Sequence, residues 1–161
     1  KNKIIQNLEN TDNLTFNFEQ NINGKTQNGN CILSFQKKIF CQYNLKNNKI
    51  LVSNGKSIVI KTSASYYLYP LERTPLNLIL NKDFLIKKIK ILNERKIDDK
   101  FINFRFSEND FEINLFFDFN GYNLIGWQTT DIYQNLSITF LSSVKKNQQL
   151  EDGLFNLPKQ N

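Results

Sequence analysis

Residues 111–117 read FEINLFF, with apolar side chains at every second position, and this stretch decides the fold class. Successive side chains of a strand point to opposite faces of a sheet, so a period of two predicts a strand with one buried face. The same alternation returns in LTFNF at residues 14–18 and in LSITF at residues 136–140. Strands near both ends and in the second half of the chain predict a mainly β protein.

Further short runs between these three stretches have strand-like composition. They are residues 30–36, 38–44, 49–53, 56–62, 65–69, 87–94, 100–107 and 122–129. Ser53-Asn54-Gly55 and Asn120-Gly121 are typical hairpin turns. Short strands joined by hairpins predict one antiparallel sheet that is strongly curved or rolled into a barrel. Because no repeat or linker interrupts the pattern, residues 1–161 are expected to form a single domain.

Two segments follow a helical pattern instead. Residues 1–10 place Ile4, Ile5 and Leu8 on one helical face. Thr74-Pro75 is a typical helix start, and the residues after it are apolar nearly all round. Such a helix has to cover an apolar surface. It either closes the mouth of a curved sheet around an apolar cavity or completes an ordinary core.

The composition disfavours an enzyme. The 161 residues are 40% hydrophobic and include no His, which removes the commonest acid–base group and metal ligand. Two Cys are too few for a structural zinc site, and no glycine-rich nucleotide motif is present. The acidic pair Asp98-Asp99 and the group Glu108-Asn109-Asp110 fall in predicted turns. We therefore expect no catalytic residues, no metal and no cofactor. Trp127, on an apolar run, is interpreted as a core residue.

The net charge of +6 does not indicate a nucleic-acid partner. The three arginines, Arg73, Arg95 and Arg105, are far apart, and the lysines are scattered along the chain. Nucleic-acid binding needs clustered basic residues with Arg for bidentate contacts. General attraction to anionic lipid surfaces fits the charge better.

The ends and the cysteines bear on the compartment. The chain starts at Lys1 and contains no Met, which fits a processed protein whose export signal has been removed. Cys31 and Cys41 lie on neighbouring predicted strands with an even separation, so both can lie on one face. They form either a disulfide, which indicates an oxidising compartment, or two small buried apolar side chains.

Five segments, in order, resemble the LolA family of periplasmic lipoprotein carriers. They are residues 14–20, residues 50–56 (ILVSNGK), residues 69–76 (YPLERTPL), residues 125–141, and residues 154–158 (LFNLP), which resemble the closing strand of the family. The resemblance runs over nearly the whole chain. It implies an incomplete, unclosed antiparallel β-barrel with a short α-helical lid over an apolar cavity.

Strand parity and this resemblance together give the expected site residues. The cavity would be lined by Phe18, Leu33, Phe35, Ile39, Tyr43, Ile58, Ile60, Phe104, Ile113, Leu115 and Ile138. The lid would be formed by Leu76, Ile79 and Leu80. Composition does not separate a cavity lining from a plain core.

The resemblance also implies the function and the partners. Such a carrier binds the acyl chains of triacylated lipoproteins and takes them through the periplasm from the inner to the outer membrane. It would act as a monomer, would receive cargo from an ABC-type lipoprotein-releasing complex of the inner membrane, and would deliver it to an outer-membrane receptor if one exists. Two alternatives stay open: an outer-membrane receptor of the LolB kind, or a lipid-sensing or scaffolding module on the same fold.

One motif departs from the family. Many members carry Arg-Pro at the tip of the second hairpin, where the Arg holds the lid by hydrogen bonds. Here the tip carries Phe35-Gln36, followed by Lys37-Lys38. Either Lys37 replaces the Arg as a poorer donor, or Phe35 holds the lid by apolar contact.

Overall fold

Eleven antiparallel strands in one sheet dominate the structure, a computed structural model that describes residues 1–130 and 135–161. The strands are β1 (Asn13–Ile22), β2 (Lys25–Ser34), β3 (Lys38–Tyr43), β4 (Ile50–Asn54), β5 (Ser57–Lys61), β6 (Tyr66–Pro70), β7 (Arg95–Ile97), β8 (Phe101–Glu108), β9 (Phe111–Asp118), β10 (Leu124–Thr130) and β11 (Leu136–Lys146).

The order of the strands leaves the sheet open. It runs β6-β5-β4-β3-β2-β1-β11-β10-β9-β8-β7, so that β6 and β7 are its two edges. Apart from β6 and β7, strands that follow each other in the chain pair with each other, and β1 pairs with β11 in the middle of the sheet. The predicted turn at Asn54-Gly55 joins β4 to β5, with Gly55 at a φ of +99° that suits glycine. An unclosed, mainly β architecture is therefore confirmed.

Three helices accompany the sheet within the described residues. They are α1 (Asn2–Glu9), the one-turn α2 (Leu76–Ile79) and α3 (Lys82–Ile91). Helix α1 buries Ile4 and Leu8, as its helical spacing predicts. Thr74 does not cap α2, because its hydroxyl donates to the Leu71 carbonyl and closes a single 3₁₀ turn, Leu71–Arg73.

Helix α3 corrects the prediction of a strand over residues 87–94. Its first turn is capped by Asn81, whose Oδ1 accepts a hydrogen bond from the Phe84 N–H at 3.1 Å. Leu85 and Ile89, four residues apart, are both fully buried. Leu85 and Ile89 follow the helical period, whereas Ile91 is exposed, and a short apolar run alone does not distinguish this period from the period of two.

One face of the sheet, the inner face, carries the hydrophobic core together with α1 and α3. On β8 and β9 this core is filled by Phe104 and Phe117, whose ring centroids are 5.9 Å apart in an edge-to-face contact. The outer face of the central strands also carries apolar side chains. There Phe116 and Phe140 lie 6.2 Å apart, and Phe140 is exposed.

The C-terminal segment contains no strand. Residues 154–158, which resemble the closing strand of the family, run outside the sheet, and the Tyr66 hydroxyl donates to the Pro158 carbonyl at 2.9 Å. The resemblance over residues 125–141 covers β10 and most of β11, but residues 131–134 lie outside the described part of the chain.

Candidate functional site

A cavity of about 230 Å³ lies between the inner face and the short helix α2. Its walls come from β1–β5 on one side and from β10 and β11 on the other, and α2 covers it. The lining residues are Phe16, Phe18, Gln20, Cys31, Ile39, Cys41, Tyr43, Leu51, Ile58, Ile60, Thr74, Pro75, Leu76, Ile79, Trp127, Thr129, Ser137 and Thr139. Most of this lining is apolar.

Several of the residues expected from the sequence meet in this cavity. From the strands they are Phe18, Ile39, Tyr43, Ile58 and Ile60. From the expected lid, Leu76 and Ile79 also line it. The Phe18 and Tyr43 rings touch edge to face, with centroids 5.0 Å apart. Strand parity therefore brings together the apolar residues of β1, β3 and β5 under α2.

The other expected residues lie elsewhere. Leu33, Leu80, Phe104, Ile113 and Leu115 are fully buried in the packed core. The four strand residues share the inner face with the cavity, whereas Leu80 directly follows α2, and all five belong to the same cluster of buried side chains.

Phe35 and Ile138 lie outside the cavity for different reasons. Phe35 lines a separate void of about 20 Å³ beneath α1. Ile138 lies on the outer face, because its neighbours Ser137 and Thr139 line the cavity and side chains alternate along a strand. In β11 the apolar side chains of LSITF point outward and the polar ones inward, so the assumption that the apolar set faces the core fails there.

Some lining residues were not expected. Phe16 shares the parity of Phe18, and that signal was available in the sequence. Trp127, interpreted as core, is buried and also lines the cavity. The other unexpected residues are polar, and a prediction that considers only apolar side chains omits them. They are Gln20, Thr129, Ser137 and Thr139.

The cysteines form part of the cavity wall. Cys31 and Cys41 stand opposite each other on β2 and β3, and their sulfur atoms are joined in a disulfide. Both residues line the cavity and are buried. The bond thus ties together two strands of the cavity wall.

Polar side chains form a connected row across the cavity wall. The Gln20 Nε2 donates to Thr139 Oγ1 at 3.0 Å, and the Tyr43 hydroxyl donates to Gln20 Oε1 at 3.4 Å. Burial raises the pKa of Tyr43 to about 12, so its phenol is neutral at physiological pH. Lys49 Nζ lies 4.3 Å from the centroid of the Tyr43 ring, and burial lowers the pKa of this lysine.

The tip of the β2–β3 hairpin is attached to the helices by the main chain. The Lys37 N–H donates to the Leu80 carbonyl at 3.2 Å, and Gln36 forms a β-bridge with Asn81. The Ser53 hydroxyl donates to the Lys37 carbonyl at 2.8 Å. In this chain the tip of the hairpin is thus held next to α2 by backbone atoms.

The described residues of the site offer few ionisable groups. Within the described residues no three Asp, Glu or Cys side chains are grouped to hold a metal ion. Tyr43 is the one titratable side chain among the described lining residues, apart from the disulfide-bonded cysteines. None of the described helices is long and apolar enough to cross a membrane.

A match to a protein-family model shows the family of this chain. The model described as outer membrane lipoprotein carrier protein LolA matches residues 9–158. The chain belongs to the LolA family. Among curated proteins, none matches this LolA-family chain in sequence.

Solved structures share the LolA fold at low identity. A LolA superfamily protein from Nitrosomonas europaea has a TM-score of 0.52 at 8% identity, with 97% of each chain covered. A putative outer membrane lipoprotein-sorting protein domain from Vibrio parahaemolyticus has a TM-score of 0.51 at 10% identity, covering 96% of this chain and 95% of that one. MucB of Pseudomonas aeruginosa, solved with MucA, has a TM-score of 0.51 at 8% identity, and this chain spans 59% of it.

Proposed function

We propose that this protein binds the acyl chains of lipoproteins in the cavity under α2 and carries them through the periplasm from the inner to the outer membrane. The observation that supports this proposal best is the largely apolar cavity between the inner face and α2 in a chain of the LolA family. The protein would work by binding and release rather than by catalysis.

The physical basis is the cost of exposing acyl chains to water. Each CH₂ group gains about 0.8 kcal/mol when it leaves water, so a lipid anchor crosses an aqueous compartment only inside an apolar container. Non-directional contacts with Phe18, Ile39 and Ile58 would bind chains of different length. They would also release them without breaking specific hydrogen bonds.

The cavity has to enlarge to take its cargo. Its volume of about 230 Å³ is below the roughly 300–1,000 Å³ of ordinary ligand pockets. Helix α2 is the element suited to move, because it is a single turn whose hydrogen bonds to the β2–β3 tip are few. We propose that displacement of Leu76 and Ile79 opens the cavity.

The proposed partners follow from this role. Triacylated lipoproteins would be the cargo, an ABC-type releasing complex of the inner membrane the donor, and an outer-membrane receptor, where one exists, the acceptor. The protein would work as a monomer.

A release assay tests the proposal. Inner-membrane vesicles or spheroplasts carrying a labelled lipoprotein are incubated with the protein, and the soluble fraction is examined for a 1:1 complex. The complex is expected with triacylated cargo and not with the same protein lacking its acyl chains. Binding of free lipid without any solubilised lipoprotein would refute the carrier role and leave acyl-chain binding intact.

A lid variant locates the site. Ile79→Asp places a carboxylate on the cavity surface of α2 and should abolish acyl-chain binding while the protein stays folded, because a charge is costly against acyl chains. Ile91→Asp is the matched control, since Ile91 is 77% exposed on α3. If Ile79→Asp unfolds the protein, Leu76→Asp at the half-buried lining position takes its place. A folded lid variant that binds normally would contradict the assignment.

A further inference from the structure

A second cavity, of about 250 Å³, adjoins the first at its polar end. The two cavities share Thr74, Pro75, Thr129 and Ser137 in their linings. The second cavity also reaches Ile22 and Phe111, near the ends of their strands. The two cavities therefore lie side by side along these shared residues.

A positively charged side chain lines the second cavity. Arg73, at the end of the 3₁₀ turn before α2, is the one charged side chain among its described lining residues. Arg73 is exposed and forms no ion pair with any described residue. Among the described residues its guanidinium therefore has no charged partner that would compete with a ligand.

Hydroxyl groups lie where the two cavities meet. The wall formed by β3–β5 presents Ile39, Ile58 and Ile60. The wall formed by β10 and β11 presents the hydroxyls of Thr129 and Ser137, and these two residues are paired across the strands. The second cavity is otherwise largely apolar, so the charge of Arg73 is the feature that would orient a molecule with an apolar tail and an anionic head.

We propose that the two cavities together bind an anionic amphiphile, with the acyl chain under α2 and a phosphate or carboxylate head on Arg73. This proposal rests on acyl-chain binding as proposed above and adds the chemistry of the head group. The planar guanidinium presents paired N–H donors that match two oxygens of either anion. Thr129 and Ser137 would offer hydroxyl donors beside it.

The experiment compares ligands that differ in the head group alone. Lysophosphatidic acid and monopalmitoylglycerol, both with a palmitoyl chain, are titrated below their critical micelle concentrations, and palmitate is added as a carboxylate. Trp127, the only Trp of the chain, lines the cavity, so its fluorescence reports binding of each ligand. We expect lysophosphatidic acid to bind about fivefold more tightly than the neutral glyceride at low salt, a difference that salt should reduce.

Variants assign this preference to one residue. Arg73→Gln should remove the preference for the phosphate and leave binding of the neutral glyceride unchanged. Arg73→Lys should keep part of it. Arg95→Gln is the matched control, since Arg95 is also exposed but lies on the edge strand β7. Palmitate distinguishes two kinds of site. A general anion site would bind palmitate more tightly than the neutral glyceride, whereas a phosphate-selective site would not.

The outcomes for the two proposals are distinct. Equal binding of the charged and neutral lipids, or a preference that survives Arg73→Gln, would overturn the head-group site and leave acyl-chain binding standing. If no lipid binds to the wild-type protein, both proposals fail.

Discussion

The two sides of the inner face are built from the same residue types, but packed side chains fill one side and a cavity remains on the other. On β8 and β9 the face is covered by the ten-residue helix α3, and Phe84 of that helix meets Phe106 edge to face with centroids 5.7 Å apart. On β1–β5 the cover is the four-residue helix α2, and a cavity remains. The length of the covering helix, rather than the composition of the strands, separates the filled core from the cavity.

The side with the cavity has a different kind of support. The disulfide between Cys31 and Cys41 links β2 to β3 in the cavity wall, and these are the only two cysteines of the chain. The filled side has close packing instead, with Phe104 and Ile113 fully buried. A wall beside a cavity has fewer packing partners, and a covalent bond holds its strands without filling the space.

The largest effect is expected on the filled side. Phe104→Ala should lower the free energy of unfolding by about 4 kcal/mol, because the ring has partners on all sides and its removal leaves a void. Acyl-chain binding should be unchanged at temperatures where the variant is folded. Denaturant unfolding and lipid titration measure the two quantities. A loss below about 1 kcal/mol would show that this side is not packed as described.

Loss of the disulfide should come next. The bond closes a loop with a sequence separation of 10, for which chain entropy gives a stabilisation of about 2–3 kcal/mol. Wild-type protein in reductant, and the double variant Cys31→Ala/Cys41→Ala without it, should each lose about this much in denaturant unfolding.

The double variant serves as the control for reduction. Added reductant should leave its stability unchanged. Equal unfolding curves for oxidised and reduced wild-type protein would show that the cavity wall is held by packing after all.

A smaller loss of stability is expected on the side with the cavity. Phe18→Ala should cost about 2 kcal/mol, less than Phe104→Ala, because one side of the Phe18 ring already borders empty space. Acyl-chain binding should weaken about tenfold, since the ring forms part of the proposed contact surface. The same unfolding and titration measurements apply. If both variants lose equal stability and neither loses binding, the distinction between the two sides does not hold.

The smallest effect concerns the attachment of α2. Lys37 has a left-handed φ of 66° and contributes its N–H to the bond with Leu80, so Lys37→Gly keeps both the bond and the conformation. Stability should change by no more than about 0.5 kcal/mol, and lipid affinity by less than about twofold. A marked gain in the rate of lipid exchange would instead assign the attachment to the lysine side chain.

The architecture follows from the sequence because alternation and turn signals act locally. The period of two located most of the strands, and helical spacing located α1. Helix α3 was missed because its apolar run fits both periods over a few residues, and only the cap at Asn81 and the burial of Leu85 and Ile89 distinguish them.

The site was predictable in part. Parity placed Phe18, Ile39 and Ile58 on the correct face. Parity could not distinguish these cavity residues from the core residues Phe104 and Leu115, because both sets lie on the same face. Which helix covers each strand depends on the tertiary structure. In β11 the rule failed, since the polar residues Ser137 and Thr139 face the cavity while Ile138 faces outward.

The central pairing of β1 with β11 has a consequence for how the chain folds. The ladder joins Leu14 to Lys146 and Ile22 to Ser137, so the middle of the sheet forms from the two ends of the sequence. Hairpins β1–β6 and β7–β10 contain nearest neighbours in the chain and can form early, whereas contacts of such long sequence separation are slow to form. Until β11 arrives, β1 has a bare edge that can pair with other chains. We therefore expect refolding to be limited by this last step and its yield to fall as protein concentration rises.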